Sequence, residues 1–165
     1  MTDELRTADE DNPKGYYEFE RVKKLKEGDF VWLEQAPGKA VKIISALLEY
    51  LPPTHHYRVV FMRRDMNEIL RSQKQMLVRR GEPTDKVSDE KLAALYQKHL
   101  DQIESWLGSQ PNFQVTYVSY NQLLSEPEIQ LERVRRFLNL ELQAEQMLAQ
   151  IDPSLYRQRS TGQAD

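Results

Sequence analysis

Arg63 and Arg64, with Ser72 eight residues beyond Arg64, are the side chains best placed to do chemistry in this sequence. A guanidinium is a planar fork of N–H donors that matches phosphate or carboxylate, and a serine hydroxyl can add a further donor. The arginines close the apolar run Val59-Val60-Phe61-Met62, which has the pattern of a strand covered on both faces. Asp65 has the chemistry of a helix cap, and Glu68 lies at capping-box spacing from it. Met66, Ile69, Leu70, Gln73 and Leu77 mark the inward face of the helix that follows, and Gly81 stops it. Arg63 and Arg64 are thus expected at the carboxyl end of a strand, beside a helix N-terminus. An open α/β sheet binds its ligands there, and the helix end favours an anion. The same pattern also fits arginines that only face water or pair with acids.

Charge narrows the partners. The 165 residues carry 23 Lys and Arg against 26 Asp and Glu, a net charge of -3. A dedicated nucleic-acid binder is usually basic, so no nucleic-acid partner is expected. The charge is uneven. Residues 57–80 hold seven basic side chains and two acids, whereas residues 1–12 hold five acids and one arginine. A basic middle suits a small anion, and it suits a solvated surface equally well. There is no cysteine, which removes disulfides, thiolate metal sites and cysteine nucleophiles. No apolar stretch reaches membrane-spanning length and the start is acidic, so the expectation is a cytoplasmic protein with no membrane partner.

Other motifs fail on spacing. Gly38-Lys39 resembles the end of a phosphate loop, but Ala40 stands where Ser or Thr is needed and Leu33 where the first Gly is needed. His55 and His56 have no partner at metal-binding spacing, and no metal is expected. His99 falls on an apolar helix face and reads as a histidine at the edge of the core. No Ser–His–Asp arrangement follows from spacing.

The elements that must position Arg64 and Ser72 follow from periodicity. Glu20 to Lys26 is at most a short charged helix, and Trp32 and Leu33 anchor the next loop. Ala40 to Ile44 reads as a strand, with Ser45 capping a short helix from Ala46 to Leu51 that Pro52-Pro53 stops. Ser88 caps a long helix whose apolar face carries Leu92, Leu95, Tyr96, His99, Leu100, Ile103, Trp106 and Leu107, ended by Gly108 and Pro111. Phe113 to Val118 is a third strand. Ser125 begins a helix with Pro127 in its first turn, and Ala144, Met147, Leu148 and Ile151 mark a last one. Three strands separated by helices predict an α/β fold with a parallel sheet flanked by helices. A single domain over residues 1–151 is expected, with a polar tail over 152–165. At this length it would bury roughly 70% of its unfolded surface.

The segments AVKIISALLEYLP and YRVVFMRRDMNEILRS resemble the sulfotransferases that use 3′-phosphoadenosine-5′-phosphosulfate (PAPS). NPKGYYEFE near the start and the FLNL helix end are similar to the bacterial branch, and the likeness runs over most of residues 8–159. In that family an arginine at a strand end and a serine eight residues on hold the 3′-phosphate of the nucleotide. The resemblance therefore implies that Arg64 and Ser72 bind PAPS, with Arg157 or Arg159 from the tail as further candidates. Lys42 matches a lysine of the family and is the catalytic candidate. The histidine base that eukaryotic cytosolic members place two residues later is Ile44 here. Glu18 and Glu20 are then conceivable bases, and equally well solvated acids.

The chain also departs from the family at its start. Members open with a strand and a PxSGTS-like loop that cradles the 5′-phosphosulfate, and no such segment occurs in the sequence. The resemblance thus implies a fold like that of the P-loop kinases, lacking its first strand, loop and helix. An unpaired sheet edge left by that loss would favour self-association. Three functions stay open. The chain is a sulfotransferase-family enzyme, shortened or inactive in this form, with an unknown acceptor, a non-catalytic module that binds PAPS or adenosine 3′,5′-bisphosphate, or a helical interaction protein whose basic segment is only surface.

Overall fold

The architecture comes from a computed structural model that describes residues 1–3, 5–10 and 12–156. Two compact units divide the chain: Met1–His55 with His99–Ser109, and His56–Lys98 with Gln110–Asp165. The division falls inside one helix, α2 (Asp89–Ser109).

In the first unit the regular elements besides α2 are three 3₁₀ helices, Glu20–Glu27, Val31–Gln35 and Ser45–Tyr50. Their core is Val22, Leu25, Trp32, Leu33, Leu47, Leu48 and Leu51, joined by Ile103 and Leu107 of α2. Trp32 is 1% exposed. Its indole Nε1 donates to the Asp29 carbonyl at 2.9 Å, and Phe19 meets its ring edge-on at 5.4 Å. That combination buries a large apolar ring without stranding its one polar atom. Gly28 closes the first 3₁₀ helix at φ 80°, a conformation in which a Cβ is strained.

The expected strand Ala40 to Ile44 is not one. Residues 40–44 lie outside every helix and strand. Their burial alternates as a strand's would, with Val41 and Ile43 half-buried and Lys42 and Ile44 exposed. A strand, however, is defined by its partner, and among the described residues of this unit there is no strand to complete a ladder. The Ala40 carbonyl accepts instead from the amino group of Met1. Ser45 does not cap either: Ile44 holds the cap position of Ser45–Tyr50, with no side-chain cap bond.

The second unit holds the sheet. β1 (Tyr57–Arg63) and β2 (Phe113–Ser119) pair in parallel, in register from Tyr57 opposite Phe113 to Arg63 opposite Ser119. The sheet therefore has two strands among the described residues, not three. Aromatic pairs cross it: Tyr57 with Phe113 at 4.7 Å, and Phe61 with Tyr117 at 5.6 Å. Phe61, Phe113, Thr116 and Val118 are buried.

α1 (Met66–Arg79) follows β1 and starts as its sequence predicts. Asp65 is the cap, its Oδ1 accepting from the Glu68 N–H at 3.2 Å. Gly81, at φ 67°, lets the chain turn so that the Glu82 N–H reaches the Leu77 carbonyl at 2.9 Å. Ser88 Oγ accepts from the Lys91 N–H at 3.4 Å where α2 begins. Leu95, expected on the apolar face of α2, is 60% exposed. The buried line runs through Ile103 and Leu107, and Leu95 falls to its flank.

After β2 come α3 (Tyr120–Ser125), α4 (Pro127–Leu138) and α5 (Ala144–Leu148). Ser125 ends α3 instead of starting α4. Pro127 at the first turn of α4 has no N–H to lose, so the break between the two helices falls just before it. Asn139 closes α4 in the left-handed conformation, φ 51°. The architecture is α/β, a parallel sheet with several helices.

Candidate anion-binding site

Because β1 and β2 are parallel and in register, their carboxyl ends lie side by side. Residues just past Arg63 and just past Ser119 therefore meet. Successive strand residues point to opposite sides, and this separates the two arginines. The Arg63 guanidinium lies over the Tyr117 ring, 4.3 Å from its centroid, and is exposed. The Arg64 side chain is 26% exposed and its Nε donates to Glu68 Oε2 at 3.0 Å.

Glu68 is the centre of the arrangement. Its side chain is fully buried. A buried carboxylate is unfavourable unless paired and hydrogen-bonded, and this one is both. Oε2 takes Arg64. Oε1 accepts from Asn121 Nδ2 at 3.0 Å and from the Tyr156 hydroxyl. Asn121 Nδ2 also donates to Tyr156 Oη at 2.8 Å, and its Oδ1 accepts from the Asp65 N–H at 3.4 Å. The Tyr156 phenol is pushed above its ordinary pKa, chiefly because it donates to the Glu68 carboxylate and secondarily by burial.

Two rings complete the setting. Arg64 Cζ lies 4.9 Å from the Tyr120 centroid and 5.7 Å from that of Tyr156, and the two rings meet edge-on at 5.7 Å. Aromatic faces attract a guanidinium and constrain its plane. Among the described residues the two Nη groups of Arg64 carry no hydrogen bond. A fixed cation with free N–H donors, at a strand end beside a helix N-terminus, can bind an anion. Ser72 is exposed on α1, one turn beyond Glu68, a rise of about 6 Å.

The other candidates lie elsewhere. Lys42 is in the first unit, its Nζ donating to the Tyr16 carbonyl at 3.0 Å and lying 3.7 Å from Glu18 Oε1. Glu18 also faces Arg6 at 3.7 Å and Lys23 at 3.8 Å, and Glu20 pairs with Lys23 at 2.6 Å. Arg157 and Arg159 lie outside the described residues. Ser45 Oγ and His99 Nε2 are 2.8 Å apart, a pair that spacing did not suggest. No acid completes a triad with them among the described residues. Among the described residues there is also no cluster of metal-binding side chains, and no helix is long and apolar enough to cross a membrane.

Residues 9–144 match the profile of a family described as Sulfotransferase family. The chain belongs to the sulfotransferase family. The matched span of this sulfotransferase-family chain contains Lys42, Arg64, Glu68, Ser72, Tyr120 and Asn121, and it stops short of Tyr156. Comparison with curated proteins and with solved structures gave no match.

The sequence singles out Arg64 as a candidate but not the side chains around it. Glu68 was assigned to the helix cap because it stands three residues after Asp65. Its spacing of four from Arg64, the interval of helical ion pairs, was the competing signal. Tyr120 and Asn121 follow from the parallel pairing: once β1 and β2 are in register, the residues after both strands are neighbours. Nothing in the local pattern marks Tyr156.

Proposed function

We propose that this chain binds PAPS through its 3′-phosphate, with Arg64 and Ser72 as ligands, and serves sulfuryl transfer to a small acceptor. Bound PAPS supplies the activated sulfuryl group. The chain's own part at this site is grip and orientation, which dominate catalysis of such transfers by analogy with phosphoryl transfer. One observation carries the reading. Arg64 is held at Nε by a buried carboxylate and packs against two rings that meet each other edge-on, while its Nη donors are unengaged among the described residues. An arginine serving only as a salt-bridge partner gains nothing from such a setting. A doubly charged phosphate monoester does gain, because the fork is already oriented. Ser72 is an exposed hydroxyl one turn along the same helix from Glu68.

The test is titration calorimetry with adenosine 3′,5′-bisphosphate and with AMP. A hydrogen bond to a charged group contributes about 1.5–3 kcal/mol. Arg64→Ala is therefore expected to weaken the bisphosphate about ten- to a hundredfold and to leave AMP nearly unchanged. Equal losses for the two nucleotides would remove the 3′-phosphate assignment. The alternative is a binding module without turnover. Labelled sulfate moving from PAPS to any of a set of phenol, sugar and lipid alcohols excludes it. Tight bisphosphate binding with no transfer favours it.

A further inference from the structure

The carboxylate of Glu68 is placed oddly for a helix N-terminus. Acids in a first turn are usually exposed and interact with the free N–H groups of the helix. Glu68 is instead fully buried, and its carboxylate spends both oxygens on side chains. Each of those side chains comes from a different part of the second unit. Arg64 follows β1, Asn121 lies in the first turn of α3 after β2, and Tyr156 follows a 3₁₀ turn at Pro153–Leu155. Ordering two distant segments beside Arg64 around one buried charge is an expensive arrangement if the only product is a salt bridge.

The geometry suggests what it achieves. An arginine has two edges with which to meet an anion, one formed by Nε and one Nη, the other by the two Nη groups. Glu68 Oε2 takes Nε, so the Nη groups remain for a ligand. Asn121 and Tyr156 load the opposite oxygen, which limits rotation of the carboxylate. The Tyr156 ring also flanks the guanidinium that its hydroxyl helps to orient. We propose that Glu68, held by Asn121 and Tyr156, is the positioning residue that aims the Arg64 guanidinium at the ligand's phosphate. This inference rests on the phosphate-binding role proposed for Arg64. It adds that affinity depends on a side chain that does not touch the ligand.

The experiment is a double-mutant cycle on the full chain, read by calorimetry with adenosine 3′,5′-bisphosphate. Glu68→Gln keeps the shape and removes the charge. It is expected to weaken binding about five- to twentyfold in the otherwise unchanged chain, and less than about twofold when Arg64 is already alanine. A merely structural role for Glu68 predicts the same loss in both backgrounds, and that result would overturn the proposal. A ligand-free readout runs beside it. The Arg64 Nε–Hε proton is expected to exchange slowly with water in the parent and much faster in Glu68→Gln. If affinity and exchange are both unchanged by Glu68→Gln, the positioning role is wrong while the Arg64 assignment stands. If Arg64→Ala leaves bisphosphate affinity intact, the phosphate-binding reading fails, and with it the aiming of Arg64 at a phosphate. Should Glu68→Gln fail to fold, Tyr156→Phe removes one hydrogen bond to Oε1 and keeps the ring. A two- to threefold loss of affinity with faster Hε exchange supports the proposal, and no change in either overturns it.

Discussion

The two units of this chain reach order by different physical routes. In the second unit the backbone does most of the positioning. A parallel ladder fixes β1 against β2 residue by residue, and side-chain caps at Asp65 and Ser119 fix where α1 and α3 begin. In the first unit the 3₁₀ helices have no side-chain caps, and no ladder is formed among the described residues. Such helices have poorer hydrogen-bond geometry and rarely run beyond a few residues, yet Glu20–Glu27 spans eight. What holds them is apolar packing around Trp32, Leu25 and Leu107. Where the backbone specifies geometry, a functional side chain can be placed from the ends of the elements. Where packing specifies it, the same side chain depends on the whole core.

The sharpest way to break the first unit is therefore to empty its core. Trp32→Ala removes a ring that is 1% exposed and leaves the Asp29 carbonyl without its indole donor. Truncations of this kind destabilise by about 3–5 kcal/mol. Urea denaturation should show the midpoint of the variant falling by a corresponding amount. A loss below about 1 kcal/mol would mean that packing around Trp32 is not what holds these 3₁₀ helices.

That contrast also explains which parts of the molecule were legible in the sequence. The strand–arginine–helix unit was readable because each of its signals is local: an apolar run, a capping aspartate, helical spacing and a stopping glycine at Gly81. β2 was readable for the same reason. The segment 40–44 misled because its alternation of Val41 and Ile43 with Lys42 and Ile44 is what a strand needs on its own side. The missing term is a neighbour, which no local pattern can report. Glu68 misled in the opposite way. Its spacing from Asp65 and its spacing from Arg64 are both meaningful, and burial decides between them. Burial at that point depends on Asn121 and Tyr156, which lie 53 and 88 residues away.

A smaller effect tests the second unit. Asp65 Oδ1 accepts the Glu68 N–H, and the Asp65 N–H donates to Asn121. Asp65→Ala removes the side-chain cap of α1, a change of about 0.5–2 kcal/mol. The comparison predicts that this loss exceeds that of alanine at Ile44, the exposed cap position of Ser45–Tyr50, where no side-chain cap bond exists. If both positions respond alike in thermal unfolding, local capping is no more important in one unit than in the other.

The finest test uses pH and the paired strands. Tyr57 opens β1, stacked on Phe113, and burial pushes its phenol up to about 12. The folded state thus favours the neutral phenol. In the unfolded chain the phenol ionises near its ordinary value of 10. Stability from this group is complete below that value and falls as pH rises from about 10 to about 12, because the unfolded state releases its proton first. The limiting slope for one proton is about 1.4 kcal/mol per pH unit, and partial exposure of the phenol reduces it. Tyr57→Phe keeps the ring against Phe113 and removes the titrating group. Its stability should therefore fall less steeply than the parent's across that window and run parallel to it below. Parallel curves throughout would show that the start of the ladder is wet enough for the phenol to ionise as it does in water. The burial that distinguishes this sheet would then begin further along β1, at Phe61.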